Sequence, residues 1–361
     1  MLVLLSAFFS ATITTLLIIR YQHIHGRYTG DHDTTGIQKF HESPVPRIGG
    51  LAIFFGLFFA VAADYFKDIN YFIAAGTFLL CMIPAFGIGL TEDITKKAGV
   101  KIRLLFTLFS ALLVCYVLNI RINSIDVIGI DYLLLNVRFV SIVLTCFAIT
   151  GISNAYNIID GFNGLASMVA ILALLAIAYV ALSFGDILII HLCLIMIGAI
   201  AGFFIWNYPR GLIFLGDGGS YLIGLWIGVL SVYLVSRHKE ISPWFALLVN
   251  AYPILETLFT IYRRAIHQGK NPGMPDAIHF HTLLYRRILA PAQSRQGDHA
   301  SFAANAKTSP YLWVLSLIGV APAMLWWNST PILMVCALIF TCLYIWIYKN
   351  IVRFKTPKYL K

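Results

Sequence analysis

Long apolar runs, separated by short polar clusters, alternate along the whole chain. Eleven stand out, at 2–19, 49–66, 71–90, 103–120, 138–155, 164–183, 186–205, 218–236, 243–262, 310–327 and 331–348. About 20 helical residues, at about 1.5 Å each, cross the roughly 30 Å hydrocarbon core of a bilayer. The pattern predicts an all-α polytopic integral membrane protein with about eleven transmembrane helices. No polar block is large enough for a separate soluble domain, so residues 1–361 read as one transmembrane domain. The first run has no basic residue before it, no small-residue cleavage site, and Arg20 just behind it. It reads as a retained helix, not a signal peptide. Between the fourth and fifth runs, Ile122, Ile125, Val127, Ile130 and Leu133 are interleaved with polar residues around Gly129. That alternation predicts a small external β-hairpin over 121–137. No internal repeat of the kind that builds many transporters is visible.

Composition agrees with this reading. Of the 361 residues, 59% are hydrophobic and only 12% charged, against about 25% charged in an ordinary soluble domain. The six cysteines, Cys81, Cys115, Cys146, Cys193, Cys336 and Cys342, all lie inside apolar runs without a CxxC pair. They read as packing residues, not as disulfides or zinc ligands. The net charge of +10 speaks for membrane topology and anionic headgroups, not for nucleic acid. Of the 26 Lys and Arg residues, 21 fall in one alternate set of loops and five in the other. The positive-inside rule then predicts an external N-terminus and a cytoplasmic C-terminus. The cytoplasmic loops 20–48, 91–102, 154–164, 206–217 and 263–309 form one face, and the chemistry-bearing residues collect there.

Five clusters lie on that face. The approach to the second run holds Pro44, Pro46 and Arg47, followed by Gly49 and Gly50. Backbone N–H groups at a helix start, beside an arginine, suit an anion. After the third run, Glu92 and Asp93 are followed by Lys96, Lys97, Lys101 and Arg103. Adjacent carboxylates can hold a metal or activate a phosphate nucleophile, while the cations balance phosphate charge. Between the fifth and sixth runs come Asn154, Asn157, Asp160 and Asn163, with Gly161 and Gly164. Before the eighth run, Gly216, Gly218 and Gly219 surround Asp217, an arrangement that lets amides approach phosphate oxygens. The longest loop carries Pro275, Asp276, His279 and His281. Its two histidines would point apart on a helix, so hydrogen bonds to substrate are favoured over zinc ligation. Glu256, inside the ninth run with Arg263 and Arg264 beyond it, is a functional candidate by its depth alone. Each cluster taken alone can also be read as a capped turn, a charged connector or loop packing. Their occurrence together on one face shifts the weight toward a site.

Together the five motifs resemble the polyprenyl-phosphate N-acetylhexosamine-1-phosphate transferases (glycosyltransferase family 4). The carriers are PVPRIGG at 44–50, Glu92-Asp93 with KIR at 101–103, NAYNIIDGFNGLA at 154–166, FLGDGGS at 214–220 and PDAIHFH at 275–281. They lie in the family's order across nearly the whole chain. The His-x-His of the last looks like the branch acting on UDP-GlcNAc, since the peptidoglycan branch has consecutive histidines there. Two positions depart from the family pattern. Glu92 stands where the usual pair is Asp-Asp, and Asn163 stands in place of an aspartate. Asn163 cannot act as a base.

The resemblance implies attack by undecaprenyl phosphate on the β-phosphate of a UDP-HexNAc, releasing UMP and leaving a lipid-diphospho-sugar that starts O-antigen or another cell-envelope polysaccharide. It implies Mg2+, with Mn2+ as the alternative ion, held by Asp217 and Asn157. Asp93, with Glu92 beside it, is expected to deprotonate or orient the lipid phosphate, and Asp160 to act on the nucleotide or metal side. Arg264, His279 and His281 are expected on the sugar diphosphate, and Asn154, Lys101, Arg103 and Arg47 elsewhere on substrate. GlcNAc-1-phosphate is the first expectation for the transferred group. UDP-QuiNAc, UDP-FucNAc, UDP-GalNAc and UDP-MurNAc-pentapeptide are the alternative donors. The implied setting is a bacterial inner (plasma) membrane with a cytoplasmic active site, and a homodimer is compatible with it. Direct attack and a covalent phosphoenzyme both remain open. A membrane transporter or lipid flippase is the competing class, disfavoured because nearly every ionisable residue sits at the boundary. An inactive membrane scaffold is kept open by the changes at Glu92 and Asn163.

Overall fold

The computed structural model describes residues 1–31, 45–269, 278–289 and 300–353. Pro44, Lys270, Pro275, Asp276 and Arg295 of the motifs and basic loops lie outside them. Among the described residues the chain is helical almost throughout. In order come α1 (Leu2–Arg20), α2 (Gln22–Thr29), α3 (Gly49–Tyr65), α4 (Ile69–Thr95), α5 (Val100–Val117), α6 (Ile130–Asn136), α7 (Arg138–Ile159) and α8 (Leu165–Ser183). Then follow α9 (Ile187–Asn207), α10 (Gly216–Arg237), α11 (Pro243–Val249), α12 (Ala251–Ile261), α13 (Phe280–Leu284), α14 (Ala300–Leu325) and α15 (Thr330–Val352).

Nine of these helices, among the described residues, are long and apolar enough to cross a membrane. They account for nine of the eleven expected runs, and the other two differ. Helix α3 is a 17-residue apolar helix, about 26 Å long at 1.5 Å per residue and so slightly short of the hydrocarbon core. The run at 243–262 is not one straight helix. Pro243–Val249 and Ala251–Ile266 meet at 76°. Pro253, in the first turn of α12, has no N–H to continue a helix from α11. Asn250 repairs the break: its Nδ2 donates to the Ala246 carbonyl at 2.9 Å and to Ser231 Oγ at 3.2 Å, and its Oδ1 accepts from Tyr156 Oη at 3.3 Å. Irregular backbone at this depth is tolerated where side chains satisfy it.

Helix α10 is the axis of the bundle. Of its most apolar stretch, 89% of residues are buried, against 28% for α1 and 17% for α15, which lie at the periphery. Small residues let the helices close on α10. A Cβ on Gly224 would lie 2.8 Å from the Cα of Ser153 in α7, so the two backbones touch, as is common between membrane helices. Cys81, Cys115, Cys146 and Cys193 are buried and unbridged, while Cys342 is exposed on α15.

No β-hairpin forms over 121–137. The first part is irregular and the second is α6. Backbone groups that a hairpin would pair are taken by side chains. Ile122 donates its N–H to Thr145 Oγ1 at 2.8 Å and accepts from Ser141 Oγ at 2.6 Å, both on α7. The Asp131 carboxylate accepts from Ile125 N and from Ser124 Oγ, each at 2.8 Å. The alternation of apolar residues was real, but α7 offered the nearer partners. The strands among the described residues are Gly30–Asp31 and Val45–Pro46, paired antiparallel.

That small ribbon gathers one end of the bundle. Arg47 N donates to Thr29 O, and Phe214 N donates to Pro46 O at 2.8 Å. Gly49 N and Gly50 N reach Phe214 O and Leu215 O at 2.9 and 2.8 Å. The start of α3 is thereby sewn to the start of α10. Lys96 ends α4 in a left-handed conformation, and its Nζ reaches the Gly30 carbonyl. Three of the motif clusters thus meet at one end.

Candidate active site

Glycine explains how closely the N-terminus of α10 is enclosed. Gly216 has φ +75°, and a side chain there would collide with the Arg47 carbonyl and the Asp93 carboxylate. A Cβ on Gly89 of α4 would lie 2.7 Å from Gly218 Cα, and one on Gly50 would meet the Gly219 backbone. These glycines therefore serve backbone packing between α3, α4 and α10. The expected use of the amides changes with it. Asp217 N and Gly218 N donate to Asp93 Oδ1 and Oδ2, each at 2.8 Å. Gly49 N and Gly50 N are likewise held by carbonyls of this chain. Neither helix start offers those N–H groups to a phosphate. The group held at the start of α10 is the Asp93 carboxyl, which occupies both of those amides.

Asp93 is 1% exposed, and both its oxygens are engaged with backbone. Asp217, one residue into α10, faces the other way. Its Oδ2 accepts from Arg103 Nη1 of α5, and its Oδ1 accepts from Asn157 Nδ2 of α7 at 3.1 Å. Asn157 also donates to Ser220 Oγ at 2.9 Å. The Arg47 guanidinium lies 3.7 Å from Asp217 and 3.9 Å from Asp93, and its charge also acts on Asp160. Asp160 and Glu92 in turn both act on Asp93. Asp93 and Asp217, from separate parts of the chain, thus both lie within 4 Å of one arginine, whose charge also reaches Asp160. Asp160 follows the last residue of α7, and burial pushes its carboxyl up to about 7 while Arg47 works in the opposite direction. Glu92 Oε2 is buried without a hydrogen-bond partner.

The histidine segment joins from the far side. His281 Nε2 lies 3.0 Å from where a Cβ on Gly161 would stand, and its ring meets Phe162 edge-on at 5.6 Å. The two histidines do not point apart. His279 is extended, with φ −61° and ψ 151°, because α13 starts only at Phe280. The rings stack at 5.1 Å and 12°. Glu256 reaches them from α12. Its Oε1 accepts from Phe280 N at 3.0 Å and lies 3.2 Å from His279 Nδ1, and its Oε2 accepts from Tyr344 Oη at 2.9 Å.

Other expected site residues are placed less directly. Arg264 is buried in the wide turn Tyr262–His267 that continues α12. Lys101 is exposed on the first turn of α5. Asn154 lies one turn before Asn157 on the same face of α7. Asn163 belongs to a structural network. Its N–H donates to Asn305 Oδ1 at 3.1 Å, its carbonyl accepts from Ser309 Oγ at 2.6 Å, and its Nδ2 donates to Pro209 O at 3.2 Å. An ionised carboxylate cannot donate to that carbonyl, so asparagine suits this network. Ser220 and Tyr344 were not apparent from the sequence. Ser220, one turn after Asp217 in the same motif, could have been read from helical spacing.

The donor set suits a hard divalent cation. The Asp217 carboxylate and the Asn157 side-chain amide, in contact at the start of α10, both carry hard oxygen donors. Among the described residues, no three His, Cys, Asp or Glu side chains converge closely enough to hold a metal alone. Magnesium in phosphoryl-transfer sites needs only one or two protein groups, because phosphates and water complete its shell.

Residues 75–235, from within α4 to the end of α10, match the family described as Glycosyl transferase family 4. The probable undecaprenyl-phosphate N-acetylglucosaminyl 1-phosphate transferase of Bacillus subtilis (strain 168) is 30% identical over 282 residues, covering 76% of this chain and 75% of the relative. The chain belongs to glycosyl transferase family 4, the polyprenyl-phosphate sugar-1-phosphate transferases. A decaprenyl-phosphate N-acetylglucosaminephosphotransferase of Mycolicibacterium smegmatis is 31% identical over 305 residues, covering 76% of this chain and 70% of the relative. A phospho-N-acetylmuramoyl-pentapeptide-transferase of Streptococcus equi subsp. zooepidemicus is 30% identical over 230 residues, covering 61% and 67%. This transferase is therefore a multi-pass membrane enzyme, and its matched region contains Glu92, Asp93, Arg103, Asn157, Asp160 and Asp217.

Proposed function

We propose that this transferase moves a HexNAc-1-phosphate, with GlcNAc-1-phosphate as the first choice, from a UDP-sugar to undecaprenyl phosphate. The N-acetylglucosaminyl names of two relatives support that choice of sugar, since each aligns with 76% of the chain. The setting proposed is a bacterial inner membrane with the site on its cytoplasmic face, following the loop distribution of Lys and Arg. The observation that carries the reading is the convergence of Asp217, Asn157, Arg103 and Arg47 around the start of α10.

An oxygen of the lipid phosphate attacks the β-phosphorus of the UDP-sugar. The bond from that phosphorus to the bridging oxygen breaks, and UMP leaves with the bridging oxygen. One phosphoanhydride replaces another, so no further energy source is needed. Two anions must meet, so positioning and charge neutralisation dominate the catalysis. Arg103 and Arg47, drawn up beside Asp217, supply fixed cations for the diphosphate. Asp217, with Asn157, would hold Mg2+, which neutralises phosphate oxygens when bound. Asp93 anchors the start of α10 and fixes the direction of Asp217. Glu92 Oε2 and Asp160 are the carboxylate groups left to face substrate. Asp160, with its carboxyl near 7, is suited to accept a proton from the lipid phosphate at neutral pH. His279, His281 and Arg264 are assigned to the sugar diphosphate.

The assay is UMP release by purified protein with undecaprenyl phosphate and Mg2+ across a panel of UDP-HexNAc donors. UDP-GlcNAc should give the fastest release. Release with none of the donors would remove the reading, and preference for another donor would reassign the sugar. A pH dependence follows from Asp160. Its folded value is raised, so the group is protonated below about 7 and ionised above it. Activity should climb through a limb near pH 7, and Asp160→Asn should lose that limb together with most of the rate.

A further inference from the structure

We propose that Glu256 is the positioning residue of His279, fixing the proton on Nδ1 so that Nε2 is the ring nitrogen used at the substrate diphosphate. The inference rests on the sugar-1-phosphate transfer proposed above and adds to it a residue that no part of that mechanism requires.

Four observations support it. First, Glu256 is 1% exposed, deep in the bundle, where a carboxylate is expensive unless its bonds are satisfied. Second, its bonds are made to the site segment. Oε1 takes Phe280 N at 3.0 Å and His279 Nδ1 at 3.2 Å, while Oε2 takes Tyr344 Oη at 2.9 Å. An ionised carboxylate only accepts, so the nitrogen facing it carries the proton. Thr260 Oγ1, also 3.2 Å from Nδ1, can take a share of that proton as a second acceptor. Third, the His279 ring stacks on His281, which lies against Gly161, next to Asp160. Fixing one ring therefore sets the other beside the reacting centre. Fourth, the span carrying Glu256 is broken. It bends by 76° at Asn250, and Glu256 lies on α12, beyond the bend. Tyr156, the neighbour of Asn157, holds the bend through Asn250.

A residue that merely fills space in α12 would behave differently from one acting through His279. Three variants, Glu256→Ala, Glu256→Gln and His279→Ala, separate the two roles. Glu256→Gln keeps the size, and its carbonyl can still accept from Nδ1 and Phe280 N. With UDP-GlcNAc and undecaprenyl phosphate as substrates, Glu256→Ala should raise KM for UDP-GlcNAc about tenfold or more, the cost of about one lost hydrogen bond to a charged group. KM for undecaprenyl phosphate should stay within about twofold. Glu256→Gln should recover most of the loss. Glu256→Ala in the His279→Ala background should add less than about twofold, as expected of two residues acting as a unit.

A second readout does not depend on turnover. Nitrogen-15 spectra of histidine-labelled protein, with the His279 signal assigned by its loss in His279→Ala, should show Nδ1 protonated in the parent and in Glu256→Gln, but not held so in Glu256→Ala. Multiplicative losses in the double variant, equal effects on both KM values, or a parent His279 protonated only on Nε2 would each overturn the proposal. If the parent releases no UMP from any donor, the transfer reading fails, and the spectra still decide the tautomer.

Discussion

Asp217→Asn should abolish UMP release, by at least about 10³-fold, while the protein remains folded in detergent. The size follows from removing the carboxylate proposed to hold Mg2+ and to align Arg103. Single groups that stabilise transition-state charge are worth about 10²–10³-fold on their own. The change is nearly isosteric, and the Asn157 amide can still donate to the retained oxygen, so packing around Ser220 should persist. A rise in the Mg2+ concentration needed for the residual activity should accompany the loss. Steady-state UMP release as a function of Mg2+, measured beside a thermal-unfolding curve, checks both. Activity within tenfold of the parent would remove Asp217 from the metal and return it to Arg103 as a structural ion pair.

Asp93→Asn should also remove most activity, about 10²-fold or more, but with a different signature. Both Asp93 oxygens accept backbone N–H groups at the start of α10. An amide in that place sets an NH2 against one of those N–H groups and leaves that buried donor without an acceptor. A buried donor left unsatisfied costs about 1–3 kcal/mol. The thermal midpoint should therefore fall clearly, and further than for Asp217→Asn. A group acting only as the base for the lipid phosphate would lose activity and leave the midpoint where it was. Comparing the two melting curves decides between an anchor and a base.

Much of this arrangement was legible in the chain. Most apolar runs marked their helices to within about five residues, although the one at 310–327 begins ten residues earlier, at Ala300, and the polar motifs between them named groups that meet at α10. Periodicity could not show how backbone polar groups would be satisfied. The glycines around Asp217 looked suited to phosphate, yet they admit the backbones of α3 and α4, and the amides are closed by Asp93. The run at 243–262 looked continuous because Asn250 and Pro253 are only two residues among many apolar ones. Their effect depends on Tyr156 and Ser231, which lie far away in sequence. The segment 121–137 alternated like a hairpin, but its strand-forming groups found Ser141 and Thr145 first. The spacing of His279 and His281 suggested divergence only on the assumption that both were helical.

The most direct measurement follows the donor's β-phosphate. UDP-GlcNAc labelled with ³²P at that position is incubated with purified protein, undecaprenyl phosphate and Mg2+, and the lipid is extracted. Label recovered in a lipid-diphospho-sugar, with unlabelled UMP released in equal amount, is the result expected. Label that stays wholly in the aqueous phase while the protein is folded would contradict sugar-1-phosphate transfer by this site.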